Sequence, residues 1–272
     1  MTLIDEFVNL LDRNENEESY QQFLEKHTEL IPTGSFLLNH FTHFSLAFSQ
    51  MHIHSTYISD FFIISKSSAK WHFIFIELEK PNANLFNKDG SYSSSLNKGI
   101  AQINDWRQYF SEIVNQESFK KNPVINKIVN YNNLYRNPFL FKYILVIGRR
   151  KFLENNDQLQ RWSSLNQDPD LNVMTYDSLY ESLNQKSKRY LCHVKKEYLY
   201  IDNEHVLDSD KKLGIPLFTN TDCNRIRIKQ SFYDEVCQLE KQHKSLKVLS
   251  EYGFLGENTE AKLERLKNNI YT

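Results

Sequence analysis

Cysteine is nearly absent: Cys192, Cys223 and Cys237 are the only three among 272 residues. They are too few and too widely spaced for a disulfide framework or a metal-type pair, which fits a reducing cytoplasm. Glycine and proline are also scarce, at seven and six, and no flexible Gly/Ser linker, low-complexity tract or internal repeat is visible. Neither sign of charge is in excess: 33 Lys and Arg stand against 34 Asp and Glu, a net charge of -1. There is thus no global pull toward nucleic acid or membrane, and a polyanion would have to be met by a local patch. No run approaches the roughly 20 apolar residues that span a bilayer. The opening "MTLIDEFVNLLDR" is acidic and lacks the apolar stretch of a signal peptide. A soluble intracellular protein is expected. A G-x-S-x-G elbow, a P-loop and a Gly-rich dinucleotide fingerprint are all missing, so serine hydrolase, NTPase and Rossmann readings find no support and no nucleotide cofactor is inferred.

What is present is apolar and aromatic: 40% and 14% of the chain. The length suits one large domain, or a domain with an appendage. Leu3, Phe7, Leu10 and Leu11 have helical spacing, and Tyr20, Phe23, Leu24 and Leu30 mark a second helix that Pro32 ends. "SFLLNHFTHFSLAFSQMHIHST" fits neither period. "TYISDFFIIS", the polar turn "KSSAK" and "WHFIFIELE" read as a β-hairpin. A helix capped by Ser94 or Ser95 then runs through "LNKGIAQINDWRQYFSEIVN", with Leu96, Ile100, Ile103, Phe110 and Ile113 as its stripe and Gln102, Trp106 and Tyr109 on the flank. The Asn-rich segment 121–140 reads as a polar connection. "FKYILVIGRR" contains a strand buried on both faces, and "LNVMTYDSLYESLNQ" a short strand followed by a helix capped by Asp177. The order is an α/β pattern. Residues 1–190 form the main domain, with N-terminal helices over 1–35 and a core over 36–190. Residues 191–272 form a C-terminal α/β appendage packed on the core and a candidate oligomerisation element, with a strand in "KEYLYID", an amphipathic helix around Phe232 to Leu249 that serves either as an interface or as core packing, and a final charged helix.

The chemistry gathers at "FIFIELEKP". Alternate residues of a strand share a face, so Phe73, Phe75, Glu77 and Glu79 point one way and Ile74, Ile76, Leu78 and Lys80 the other. Pro81 ends the ladder beside the carboxylates. If the preceding strand pairs with this one, the lone Asp60 of "YISDFFII" reaches the same region. At about 4 Å and an effective dielectric near 20, each like-charge pair costs roughly 4 kcal/mol. Relief comes from protonation or from a bound cation, and a hard divalent ion takes carboxylates, backbone carbonyls and water. An edge strand carrying protective charges is the plainer alternative. His40, His43, His52 and His54 lack a further ligand at zinc spacing.

The placement of Asp60 and Glu77-x-Glu79 around a hairpin resembles the D…(D/E)-x-K arrangement of the PD-(D/E)xK nuclease superfamily, and "QINDW" (102–106) resembles the Q-x-x-x-Y motif of its RecB-like branch. More specifically, the chain resembles the Shedu family of prokaryotic anti-phage defence proteins. "QQFLEKHTELI", "SDFFI", "ELEKPNANLFNKDGSYSSSLNKGIAQINDWRQY", "ILVIGRR" and "MTYDSLYESL" carry the likeness over roughly residues 18 to 185. The resemblance implies a restriction-endonuclease-like α/β fold, with a mixed central sheet flanked by helices. It implies a Mg²⁺- or Mn²⁺-dependent nuclease acting on DNA, and assembly into homo-oligomers. Asp60 and Glu77 would ligate the metal, with the Leu78 backbone carbonyl as a third ligand. Glu79 occupies the slot usually held by lysine, as a further ligand or general base; Lys80 faces the opposite side unless Pro81 brings a bulge. Gln102 would position water or residue 79, and Trp106 would pack behind Gln102. Lys98, Arg107, Arg149 and Arg150 are candidate DNA contacts. The departure at Glu79 keeps open a nuclease-fold protein that binds nucleic acid or a phage component without cutting it, or a structural ion site.

Because metal-free carboxylates repel, Glu79→Gln is expected to leave the metal-free protein as stable as the wild type or more so. Denaturant unfolding in EDTA checks this, and a large destabilisation would make Glu79 a structural partner instead.

Overall fold

A computed structural model describes residues 1–38, 46–130, 133–181, 188–202, 226–234 and 267–271, with residues 183, 237 and 264 besides. Helix α1 (Leu3–Asp12) starts at a reciprocal capping box between Thr2 and Asp5. Helix α2 (Glu17–Lys26) is capped by Asn16. It stops before Pro32, because His27 leaves helical geometry and a 3₁₀ turn covers Thr28–Leu30. Strands β1 (Leu46–His52), β2 (Ile58–Lys66) and β3 (Trp71–Leu78) form an antiparallel meander. The β2–β3 turn is the expected one, with the Ser67 hydroxyl accepting from the Ala69 and Lys70 amides. β1 is the strand that the ambiguous pattern concealed.

Helix α3 (Ser94–Ser111) is capped by Ser93, one residue before the expected caps. It ends where Glu112 turns extended, and α4 (Ile113–Lys120) follows. The amides of Asn115 and Gln116 donate to the Tyr109 and Phe110 carbonyls, closing the end of α3. Ile113, assigned to the buried stripe by spacing alone, is 74% exposed. The Asn-rich connection holds helix α5 (Pro123–Val129), whose Asn122 accepts from the Val124 and Ile125 amides ahead of a first-turn proline. Beyond β4 (Phe139–Val146), helix α6 (Asn156–Leu165) buries no residue fully, although Trp162 and Leu165 pack against the core. β5 (Leu171–Met174), α7 (Asp177–Glu181), β6 (Tyr190–Lys195), β7 (Tyr198–Ile201) and β8 (Ile226–Ile228) complete the described elements. Asp177 is the first residue of α7, with its carboxylate turned to Arg149 and the Arg150 amide.

The eight strands make one mixed sheet, ordered β5-β4-β3-β2-β1-β6-β7-β8. β6 joins it parallel to β1, so the sheet continues across residue 190. Beyond Asp234 most of the expected C-terminal helices lies outside the described residues. β3 is central and buried along its whole length. Its even residues Ile74 and Ile76 pack with Phe7, Leu11, Tyr20, Leu24, Tyr176 and Leu179 from α1, α2 and the α7 region. Its odd residues Phe73 and Phe75 pack with Leu96, Ile103, Trp106, Phe110 and Phe119 from α3 and α4. Helices therefore cover both faces, the arrangement that a doubly apolar strand demands. Among the described residues no helix is long and apolar enough to cross a membrane.

Phe75 sits among Phe62, Phe110, Phe119 and Trp106, at ring-centroid distances of 4.8, 5.2, 5.4 and 6.4 Å. Phe75→Ala should therefore cost about 3–5 kcal/mol in denaturant unfolding.

Candidate carboxylate site at the sheet margin

β3 delivers its last residues to the sheet's end in register. The Glu79 amide still donates to the Val146 carbonyl, at 2.8 Å. The chain then turns, with the Lys80 carbonyl accepting from Ala83 and Gly148. Glu77 and Glu79 keep the alternation of Phe73 and Phe75 and are 8% and 5% exposed. In β2, Phe61 opposes Ile76; one further step along that register brings Asp60 beside Glu77. Directly opposed side chains on one face lie roughly 5 Å apart at Cβ. The Leu78 amide donates to Asp60 Oδ2 at 2.7 Å.

The electrostatics follow from burial. Asp60 is raised to about 6, chiefly by desolvation, while hydrogen bonds from Leu78 and Gln50 pull it back. It ionises first, and its charge adds to the burial that pushes Glu77 up to about 10. The Glu77 carboxylate has no hydrogen bond or ion pair to a described residue. Glu79 is raised as well, mainly by burial, and is relieved by Lys98, whose Nζ lies 3.3 Å from Glu79 Oε1. Lys98 is thus a partner of the carboxylate in the lysine slot. Gly99 makes that approach feasible: a Cβ there would stand 2.8 Å from Leu145 Cδ1 and 3.3 Å from Glu79 Cγ.

The other expected residues divide. Gln102, half-buried on α3, makes no hydrogen bond to a described residue. Trp106 is fully buried against Phe75, and its indole N–H has no partner among the described residues. Lys80 is exposed. Arg107 pairs with Asp168 at 2.8 Å and lies over Tyr143. Arg149 is 7% exposed and bridges Asp12 and Asp177, while Arg150 pairs with Glu181. These arginines tie the end of β4 to α1 and α7. His54 contacts Ser55, Thr56 and the Tyr109 ring, and His40 and His43 lie outside the described residues. Sequence reasoning missed Glu17, at the start of α2, whose charge acts on Asp60, Glu77 and Glu79 alike. It also missed Gln50, which reaches Asp60 Oδ1 at 3.2 Å; no local pattern marks either one.

The donor chemistry suits a hard cation: the buried Glu77 and Glu79 and the half-buried Asp60, carboxylates that repel one another. Among the described residues no group of three or more His, Cys, Asp or Glu side chains is already gathered as a metal site.

A mixed α/β sheet with helices on both faces and crowded carboxylates at the end of its central strand defines the class: an α/β protein with an acidic site at the sheet margin. The family model described as Shedu protein SduA, C-terminal, matches residues 14–180. The chain belongs to the Shedu family, whose role is anti-phage defence. No curated protein matches it.

Raised carboxylates bind more protons in the folded than in the unfolded state. Their stabilising effect is therefore complete at low pH and is lost as pH rises, through about 6 for Asp60 and about 10 for Glu77. In thermal or urea unfolding, the metal-free protein should weaken from pH 5 to 9. Glu77→Gln should flatten that slope and gain at least about 1–3 kcal/mol at pH 8.

Proposed function

We propose that the chain is a divalent-metal-dependent DNA endonuclease of an anti-phage defence system, with a PD-(D/E)xK, restriction-endonuclease-like site. The observation that carries this reading is Asp60 beside Glu77 in the β2–β3 register, with both carboxylates raised by burial and Glu77 without a direct partner among the described residues. A buried carboxylate with no direct partner among the described residues, beside a second, half-buried one, is costly in a fold that needs only packing. Asp60, Glu77 and the Leu78 carbonyl would hold Mg²⁺ or Mn²⁺, with Glu79 as a further ligand or general base. Such an ion supplies charge neutralisation at a phosphodiester and acidifies bound water.

The chain's own residues do the rest. Lys98 brings to Glu79 the positive charge that the slot lacks, and stands ready for phosphate when Glu79 turns to another partner. Gln102, on the same helix one turn further on, orients water or the Glu79 carboxylate. Glu77 must release its proton to take a cation, so metal affinity should rise with pH. Homo-oligomers are part of the same proposal. One observation favours a second reading, a nuclease-fold sensor or scaffold that binds without cutting: Glu79 stands where a catalytic lysine is usual.

Purified protein is tested on supercoiled, linear and single-stranded DNA with Mg²⁺ or Mn²⁺. Asp60→Asn and Glu77→Gln should each abolish cleavage by at least ~100-fold, and Lys98→Ala should lower it about 10–100-fold. Cleavage that survives either carboxylate substitution would refute the site. DNA binding without turnover in either metal would establish the sensor reading.

A further inference from the structure

Within β1, Gln50 breaks the pattern of its neighbours. Its φ is +49°, the left-handed region, in the interior of a strand. That conformation is unfavourable for a residue with a Cβ. The β1–β2 ladder keeps one register on both sides, Ser49 opposite Phe61 and Met51 opposite Ser59, and only the intervening Gln50–Asp60 pair is missing. No residue is inserted. The local flip also shifts the alternation, since Phe48 and Met51 both enter the same core.

The flip leaves the Gln50 side chain exposed at the sheet's end, where its amide donates to Asp60 Oδ1 at 3.2 Å and to Gln21 Oε1 at 2.9 Å. Asp60 Oδ2 accepts from the Leu78 amide at 2.7 Å. Both oxygens of Asp60 are therefore held, one from each neighbouring strand. The chain of polar contacts continues into α2. Gln21 donates to Ser49 Oγ and Glu25 Oε1, each at 3.3 Å, and the Ser49 hydroxyl donates to Glu25. A strained residue whose side chain fixes a half-buried carboxylate is the kind of local cost that persists where geometry matters.

We propose that Gln50 is a positioning residue: its left-handed backbone aims the side-chain amide at Asp60 and, through Gln21, ties the orientation of that carboxylate to helix α2. The inference rests on the reading of Asp60 as a working carboxylate. A purely structural role, keeping Phe48 and Met51 in one core, would need the flip but not the amide.

Gln50→Gly separates the two, because glycine adopts positive φ freely and removes only the side chain. The full-length variant should unfold at or above the wild-type temperature. Its Leu78 amide should exchange about 10-fold faster in the metal-free protein, because Asp60 is no longer held. Mn²⁺ binding, followed by calorimetry, should weaken roughly 10–100-fold. Gln50→Asn, with a shorter amide and tolerance of the same backbone, should recover part of both. Unchanged Leu78 exchange in Gln50→Gly would overturn the proposal, as would unchanged Mn²⁺ affinity where Asp60→Asn abolishes binding. If Asp60→Asn binds Mn²⁺ like the wild type, the metal reading fails instead, and Leu78 exchange alone then decides whether Gln50 positions Asp60.

Discussion

Two carboxylates set side by side with little water between them resist ionising together, and the sheet puts Asp60 and Glu77 in that position by register alone. Phe61 opposite Ile76 fixes the step that follows. Moving Glu77 away would require a slip of one residue, which would turn Phe73 and Phe75 out of one core and Ile74 and Ile76 out of the other. The packing of the central strand thus enforces the repulsion at its end. A stable fold accommodates it by holding Glu77 protonated, at an elevated pKa of about 10.

The surrounding elements respond to that pressure. Helix α3 comes close enough for Lys98 to reach Glu79, because Gly99 leaves no Cβ against Leu145. Gly148, at φ +66°, lets the end of β4 turn beside the end of β3, where its amide meets the Lys80 carbonyl. Arg149 holds Asp12 and Asp177 together and so anchors α1 and α7 on the opposite side of the sheet. Arg149 and Arg150 are each engaged by specific carboxylates. Lys98 is exposed and lies directly at the acidic margin.

Much of the site was legible before any coordinates. The alternation of "FIFIELE" places Glu77 and Glu79 on one face, and the hairpin brings Asp60 near, since strand period and turn chemistry are local properties. Elements with weak local signals were less legible. β1 was obscured because its alternation slips at Gln50. α5 looked like a connection because its start signal, Asn122-Pro123, resembles a break. α6 carries Leu159, Trp162 and Leu165 at helical spacing but buries none of them fully. Ile113 fits the helical period but lies past the point where α3 ends.

By itself the sequence determined the chemistry on offer: which strand is doubly apolar, which acids share its polar end, and where proline stops it. These follow from a period of two and from side-chain identity. Only the tertiary structure decided who meets those acids. Lys98 lies 19 residues from Glu79 and Glu25 lies 24 from Ser49, and Arg149 turned out to serve Asp12 rather than open solvent. Contacts of that separation are set by how helices dock on a sheet, which no local pattern encodes.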